Sequence, residues 1–207
     1  MIGLCALARA RGLTWAVPSV LASAMLAGVA ANWLESRTWT DHLGRVPAVV
    51  LGGLAVAVLV VGVLHRTDEE IEGSVARPDR GLELGAVAGL TLLGGAVAVV
   101  WIDGWQLERG GLELVRNAAG LTGLALLGAA LAGARSGWVL PFAYATVAYL
   151  GVTRDYDRDQ WQATVGWLMF PATDVVSWMS AGTLLIAGLA GWLRWGYAPR
   201  PRWHHLR

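Results

Sequence analysis

Apolar runs of bilayer-crossing length recur along the whole chain, and they constrain its fold more than any motif does. They cover residues 13–34, 46–64, 82–102, 112–134, 138–152 and 173–195. About 20 apolar residues are needed for a helix to cross, and in lipid a spanning segment must satisfy its own backbone polar groups, so helices are the expected form. Only 15% of the 207 residues are charged and the mean hydropathy is +0.51. An average soluble domain has roughly 25% charged residues. The spacing of the runs leaves no room for a separate soluble domain of ~50 residues. The expectation is one all-α transmembrane domain over residues 1–207, with six transmembrane helices.

Residues 1–11 are apolar and contain Arg9 and Arg11, the form of an interfacial entry helix. The first run is too long for the apolar region of a signal peptide, and no cleavage pattern precedes Asn32. Pro18 lies near the start of that run, where N–H groups lack helical partners anyway. In the third run Gly85 and Gly89 form a small face that allows another helix to approach closely. The fourth carries Glu113, Arg116 and Asn117 in its first two turns, either at headgroup depth or facing protein and water. The fifth is short and follows a tight link at residues 135–137. Residues 153–171 begin with the polar TRDYDRDQ, and the apolar part that follows is too short to cross, which predicts a re-entrant or interfacial segment before the last span.

All 16 basic residues are Arg. With the N-terminus inside, ten fall in inner segments (Arg9, Arg11, Arg66, Arg77, Arg80, Arg135, Arg194, Arg200, Arg202 and Arg207) and six in outer ones. That split obeys the positive-inside rule and places both termini in the cytoplasm of a bacterial cell. The arginines are scattered among the loops, which argues against a nucleic-acid partner. The twelve tryptophans fall mostly at run ends, as an aromatic belt against membrane lipid does.

Catalytic and metal chemistry find little support. Asp155, Asp157 and Asp159 alternate like the start of a calcium loop, but Gln160 replaces its glycine and Gly166 its final glutamate. The four histidines lie at or beyond run ends, away from where a haem ligand belongs. His204 and His205 are adjacent in sequence and have no carboxylate or cysteine beside them to complete a metal site. The single Cys5 excludes an internal disulfide. Without lysine there is no phosphate-binding loop, so ATP is not hydrolysed here by that route. Ser136 in GARSG sits in a short link with no histidine in a later run to activate it. Phe142, Tyr144, Thr146 and Tyr149 could line a path for an amphipathic substrate, although packing is the commoner role of such residues. Asp174, early in the sixth run, is placed to pair with Arg116.

The longest polar stretch on the inner side is residues 65–81, HRTDEEIEGSVARPDRG. Thr67 and Glu70 have the spacing of a capping box, Asp68 and Glu69 add negative charge to a first turn, and Pro78 ends the helix so begun. Ile71 and Val75 would share one face of it. The alternative is a solvated loop whose charges only keep two spans apart. Glu72, Gly73 and Ser74, with Pro78 following, loosely match an E-x-G-[TS] element, Glu and Gly being adjacent here. Together with six spans, an N-terminal interfacial segment and a re-entrant stretch before the last span, this resembles the type 2 permease family of ATP-binding-cassette exporters. The resemblance implies that Thr67, Glu70, Ile71, Glu72, Gly73 and Val75 dock on a separate cytoplasmic ATPase, which holds the ATP. It also implies a second permease copy or a sister permease. The implied function is export of a hydrophobic or amphipathic compound; the alternative is a non-transporting scaffold or accessory subunit.

Overall fold

Long apolar stretches give long helices in the computed structural model, which describes residues 13–37, 46–64, 80–103, 110–151 and 164–195; Pro18 lies inside the first helix, more than a turn past Leu13, and not in a first turn as expected. Six α-helices are present among them: α1 (Leu13–Arg37), α2 (Val46–Gly62), α3 (Arg80–Ala98), α4 (Gly111–Ala132), α5 (Val139–Gly151) and α6 (Val175–Trp195). Pro47 and Pro141 sit in the first turns of α2 and α5, where no intrahelical N–H is lost. α3 continues as a π-helical turn, Val99–Asp103. The expected cytoplasmic helix within residues 65–81, the interfacial segment at residues 1–11 and the Arg-rich tail after Trp195 lie outside the described residues, apart from Arg80 and Gly81 at the start of α3.

Four of the six helices, α1, α3, α4 and α6, are long and apolar enough to cross a membrane. α2, with 17 residues, reaches about 26 Å at 1.5 Å per residue, close to the ~30 Å of hydrocarbon. α5 has only 13 residues and reaches about 20 Å, so the expected run 138–152 forms a helix well short of a full crossing. Large apolar side chains face outward around the bundle, among them Trp15, Leu26, Leu92, Val100, Leu150, Met179 and Ile186. Surfaces of this kind suit hydrocarbon and would be a liability in water.

The helices are organised around α4, of whose spanning window 78% is buried, against 28% for each of the other three long helices. All three apolar clusters of the core contain α4 residues. At one end the start of α1 (Leu13, Ala16) meets the end of α2 (Val61, Leu64), the start of α3 (Leu84, Val87), and the ends of α4 (Ala129, Ala130) and α6 (Trp192). At the other, Ala27 and Ala31 of α1 meet Ala48 and Val49 of α2, Ala98 of α3 and Leu114 of α4. Successive helices therefore alternate in direction. Both the first and the last described residues lie at the same end.

Glycines set how closely α4 is approached. An added Cβ at Gly123 would strike the Leu184 carbonyl, and one at Gly188 would strike Gly123, so α4 and α6 cross in backbone contact. The α4–α5 link is equally tight. Gly133 turns the chain at φ 89°, a left-handed conformation that an L side chain resists, and a Cβ at Gly137 would sit 2.9 Å from the Ala125 carbonyl. That link holds α5 antiparallel against α4.

Candidate functional site

At the Leu114 end of the bundle, residues 164–174 fold back against α4: two helical residues (164–165), a bend at Gly166, a 3-10 helix (Trp167–Met169), and a turn at residues 172–173 before α6. Such a backbone leaves carbonyls with no helical partner, and at membrane depth they must be satisfied by protein. Side chains do this one carbonyl at a time. Tyr144 Oη donates to Val165 O at 2.5 Å, Asn117 Nδ2 to Leu168 O at 3.0 Å, Arg116 Nη2 to Phe170 O at 2.8 Å, Arg116 Nη1 to Pro171 O at 3.2 Å, and Trp178 Nε1 to Ala172 O at 2.8 Å.

Arg116 and Asn117 are fully buried and act as one unit. Asn117 Oδ1 accepts from Arg116 Nε at 3.2 Å and Nη2 at 3.1 Å, which fixes the guanidinium plane and leaves the Asn117 amide free to donate toward Leu168. The planar fork of Arg suits this task, since adjacent carbonyls can be met by adjacent N–H groups. Trp167 completes the attachment by packing: its indole is buried and fills the space over Gly120, which a Cβ would occupy. Tyr144 stacks on it at 6.1 Å between ring centroids.

The residues singled out in the sequence divide accordingly. Arg116 and Asp174 come into one electrostatic neighbourhood, with Glu113 the other carboxylate acting on the guanidinium. Their hydrogen bonds nevertheless go elsewhere. The Asp174 carboxylate accepts from Ser177 N at 2.9 Å and from Ser177 Oγ, the geometry of an N-cap on α6. Of the suggested path residues, Tyr144 faces inward onto the folded-back segment, whereas Phe142, Thr146 and Tyr149 are exposed on the outer face of α5. Gly85 and Gly89 are exposed on α3, and an added Cβ at either meets nothing within 4 Å. Thr67, Glu70, Ile71, Glu72, Gly73 and Val75 lie outside the described residues.

Asn117, Trp167 and Gly120 were not anticipated as partners. Two signals bear on them: a polar Arg-Asn dipeptide two turns into an apolar run, and small residues at positions 120 and 123 of the same run. Among the described residues no group of three His, Cys, Asp or Glu side chains could hold a metal ion. Fold and site together define a multi-pass helical membrane protein with a side-chain-clamped, non-helical segment at one end. Comparison with protein-family models, curated proteins and solved structures gives no match to this chain.

Proposed function

We propose that the chain is the membrane-spanning permease subunit of an ATP-binding-cassette exporter in a bacterial plasma membrane. In this reading six helices cross, both termini are cytoplasmic, and α5 spans where the bilayer thins at the end occupied by residues 164–174. ATP is hydrolysed by a separate cytoplasmic ATPase docked on the loop between α2 and α3. A hydrophobic or amphipathic compound is moved by the bundle and a second permease copy. The observation that carries the reading is the folded-back segment held by Arg116 and Asn117. In this reading the irregular backbone borders the path, and the buried Arg holds it there, since such backbone needs either protein partners or a water-filled cavity beside it.

The scaffold reading has its own support in the outward orientation of Phe142, Thr146 and Tyr149, which do not face the interior of the bundle. In the permease reading that face of α5 borders a path formed between copies. The two separate on one experiment: purification of the full chain in mild detergent, identification of any copurifying ATPase, and efflux assays with and without the chain. Recovery of an ATPase and chain-dependent efflux support the permease. An intact chain recovered with no ATPase and no effect on efflux would put the scaffold first.

A further inference from the structure

Asn117 has a second neighbour that its hydrogen bonds do not reveal. Gly53 of α2 packs against it so closely that an added Cβ would lie 2.9 Å from Asn117 Cβ and 3.1 Å from the Ala118 backbone N. On the other side of α2, a Cβ at Gly52 would strike Ala27 of α1 and approach Leu114 Cδ1 to 3.2 Å. α2 is thus wedged between α1 and α4 with no slack at this level. Asn117 is also fully committed, its Nδ2 to Leu168 O and its Oδ1 to the Arg116 guanidinium, which in turn holds Phe170 O and Pro171 O. Hydrogen bonds weaken steeply with misalignment, so a small displacement of the Asn117 Cβ disturbs its bond to Leu168 and the orientation of Arg116 together.

We propose that the Gly53–Asn117 contact is a mechanical relay: the position of α2 against α4 sets how firmly residues 165–171 are held. α2 is the helix that enters the loop preceding α3. A push delivered there at one end of the bundle would be read out as loosening of the segment at the other. The purpose of the relay rests on the permease reading, but the contact is testable without transport.

The full chain carrying Cys5→Ser and Leu168→Cys is placed in membrane vesicles, and the rate of alkylation of the cysteine by N-ethylmaleimide is measured. Leu168 is 3% exposed, so labelling reports release of the segment. Gly53→Ala should raise the rate tenfold or more. Gly94→Ala should change it less than twofold, although a Cβ there is equally tight at 2.9 Å from Val20 Cγ1. In an Asn117→Ala chain, which has already lost the side-chain bonds to Leu168 and Arg116, adding Gly53→Ala should change the rate less than twofold, the non-additivity expected of residues acting as one unit. An equal response to Gly94→Ala, a full effect of Gly53→Ala without the Asn117 amide, or no effect at all overturns the relay.

A second arm needs no wedge and serves if Gly53→Ala does not accumulate. Coupling between two sites is reciprocal. Asn117→Ala alone should therefore speed hydrogen–deuterium exchange of the α2 backbone around Gly53 relative to the matching stretch of α6. Unchanged α2 exchange would count against the relay. Failure to find an ATPase or efflux would remove the permease reading and leave both of these measurements standing.

Discussion

Arg116 is tolerated inside an apolar bundle because its N–H groups find carbonyl or amide oxygens on two sides, Phe170 and Pro171 on one and Asn117 on the other. Each interhelical hydrogen bond in a membrane contributes only about 0.6 kcal/mol on average, but an orphaned buried carbonyl costs about 1–3 kcal/mol. Arg116→Met should accordingly destabilise the chain by about 2–4 kcal/mol, seen as a lower thermal midpoint in mild detergent. Arg116→Lys should recover only part of this, because a compact ammonium cannot meet two carbonyls and Asn117 in one plane. A midpoint unchanged by Arg116→Met would show that the segment is held without Arg116, by Tyr144, Asn117, Trp178 and the packing of Trp167. At this scale the sequence was half legible. The polar residues 113, 116 and 117 stand out in an apolar run, but a backbone carbonyl carries no residue-type signal, and so the true acceptors of Arg116 could not be read. Asp174 was legible in a different role: it precedes an apolar run and has Ser177 three residues on, an N-cap pattern that competes with the pairing first suggested by charge.

Helices pack here by the placement of glycine more than by the fit of large side chains. α4 and α6 run parallel in backbone contact at Gly123 and Gly188, and the Trp167 indole and Ala181 of α6 both lie against Gly120. Gly188→Leu should thus separate the two helices and cost more than ~3 kcal/mol, whereas Gly182→Leu, at a position where an added Cβ meets nothing within 4 Å, should change stability by less than ~0.5 kcal/mol. Unfolding of both variants in the same detergent compares them directly, and equal losses would refute the contact. Helix positions were readable from apolar run length, because in lipid no other backbone solution exists. One feature was not. The π turn after Ala98 has no local pattern that announces it.

For the whole molecule, Gly85 and Gly89 matter because they are exposed on α3, and an added Cβ at either meets nothing within 4 Å among the described residues. If a second permease copy sits there, replacing both with Leu should abolish a crosslinked dimer and halve the native mass while leaving monomer stability within ~0.5 kcal/mol. An unchanged mass would place the partner elsewhere. The cytoplasmic loop is tested by comparing Ile71→Asp with Glu72→Ala at matched membrane abundance. An exposed rim charge contributes under ~1 kcal/mol and an apolar anchor more, so recovery of an ATPase and efflux should fall with the first and persist with the second. Wild-type recovery and efflux with Ile71→Asp would end the coupling role. Orientation is checked by cysteines at Ser36, Ser74 and Gln160: an impermeant reagent on intact cells should reach the first and third only. Labelling at Ser74, or protection at both of the others, would overturn it.

The oxygens that receive Arg116 lie 54 and 55 residues further along the chain. During synthesis α4 must therefore enter the bilayer before the segment that makes it comfortable there has been translated, and α4 has the lowest hydropathy of the four long helices, 1.4. An Arg near the middle of a lone inserting helix costs about 2.5–3.5 kcal/mol, and even close to the interface it weakens retention. The insertion machinery has to hold α4 beside α2 and α3 until residues 168–171 arrive. A nascent chain stopped at Gly151 should remain crosslinked to that machinery through α4, and one extended past Trp195 should be released into lipid. The segment that precedes the last helix thus completes the helix at the centre of the bundle.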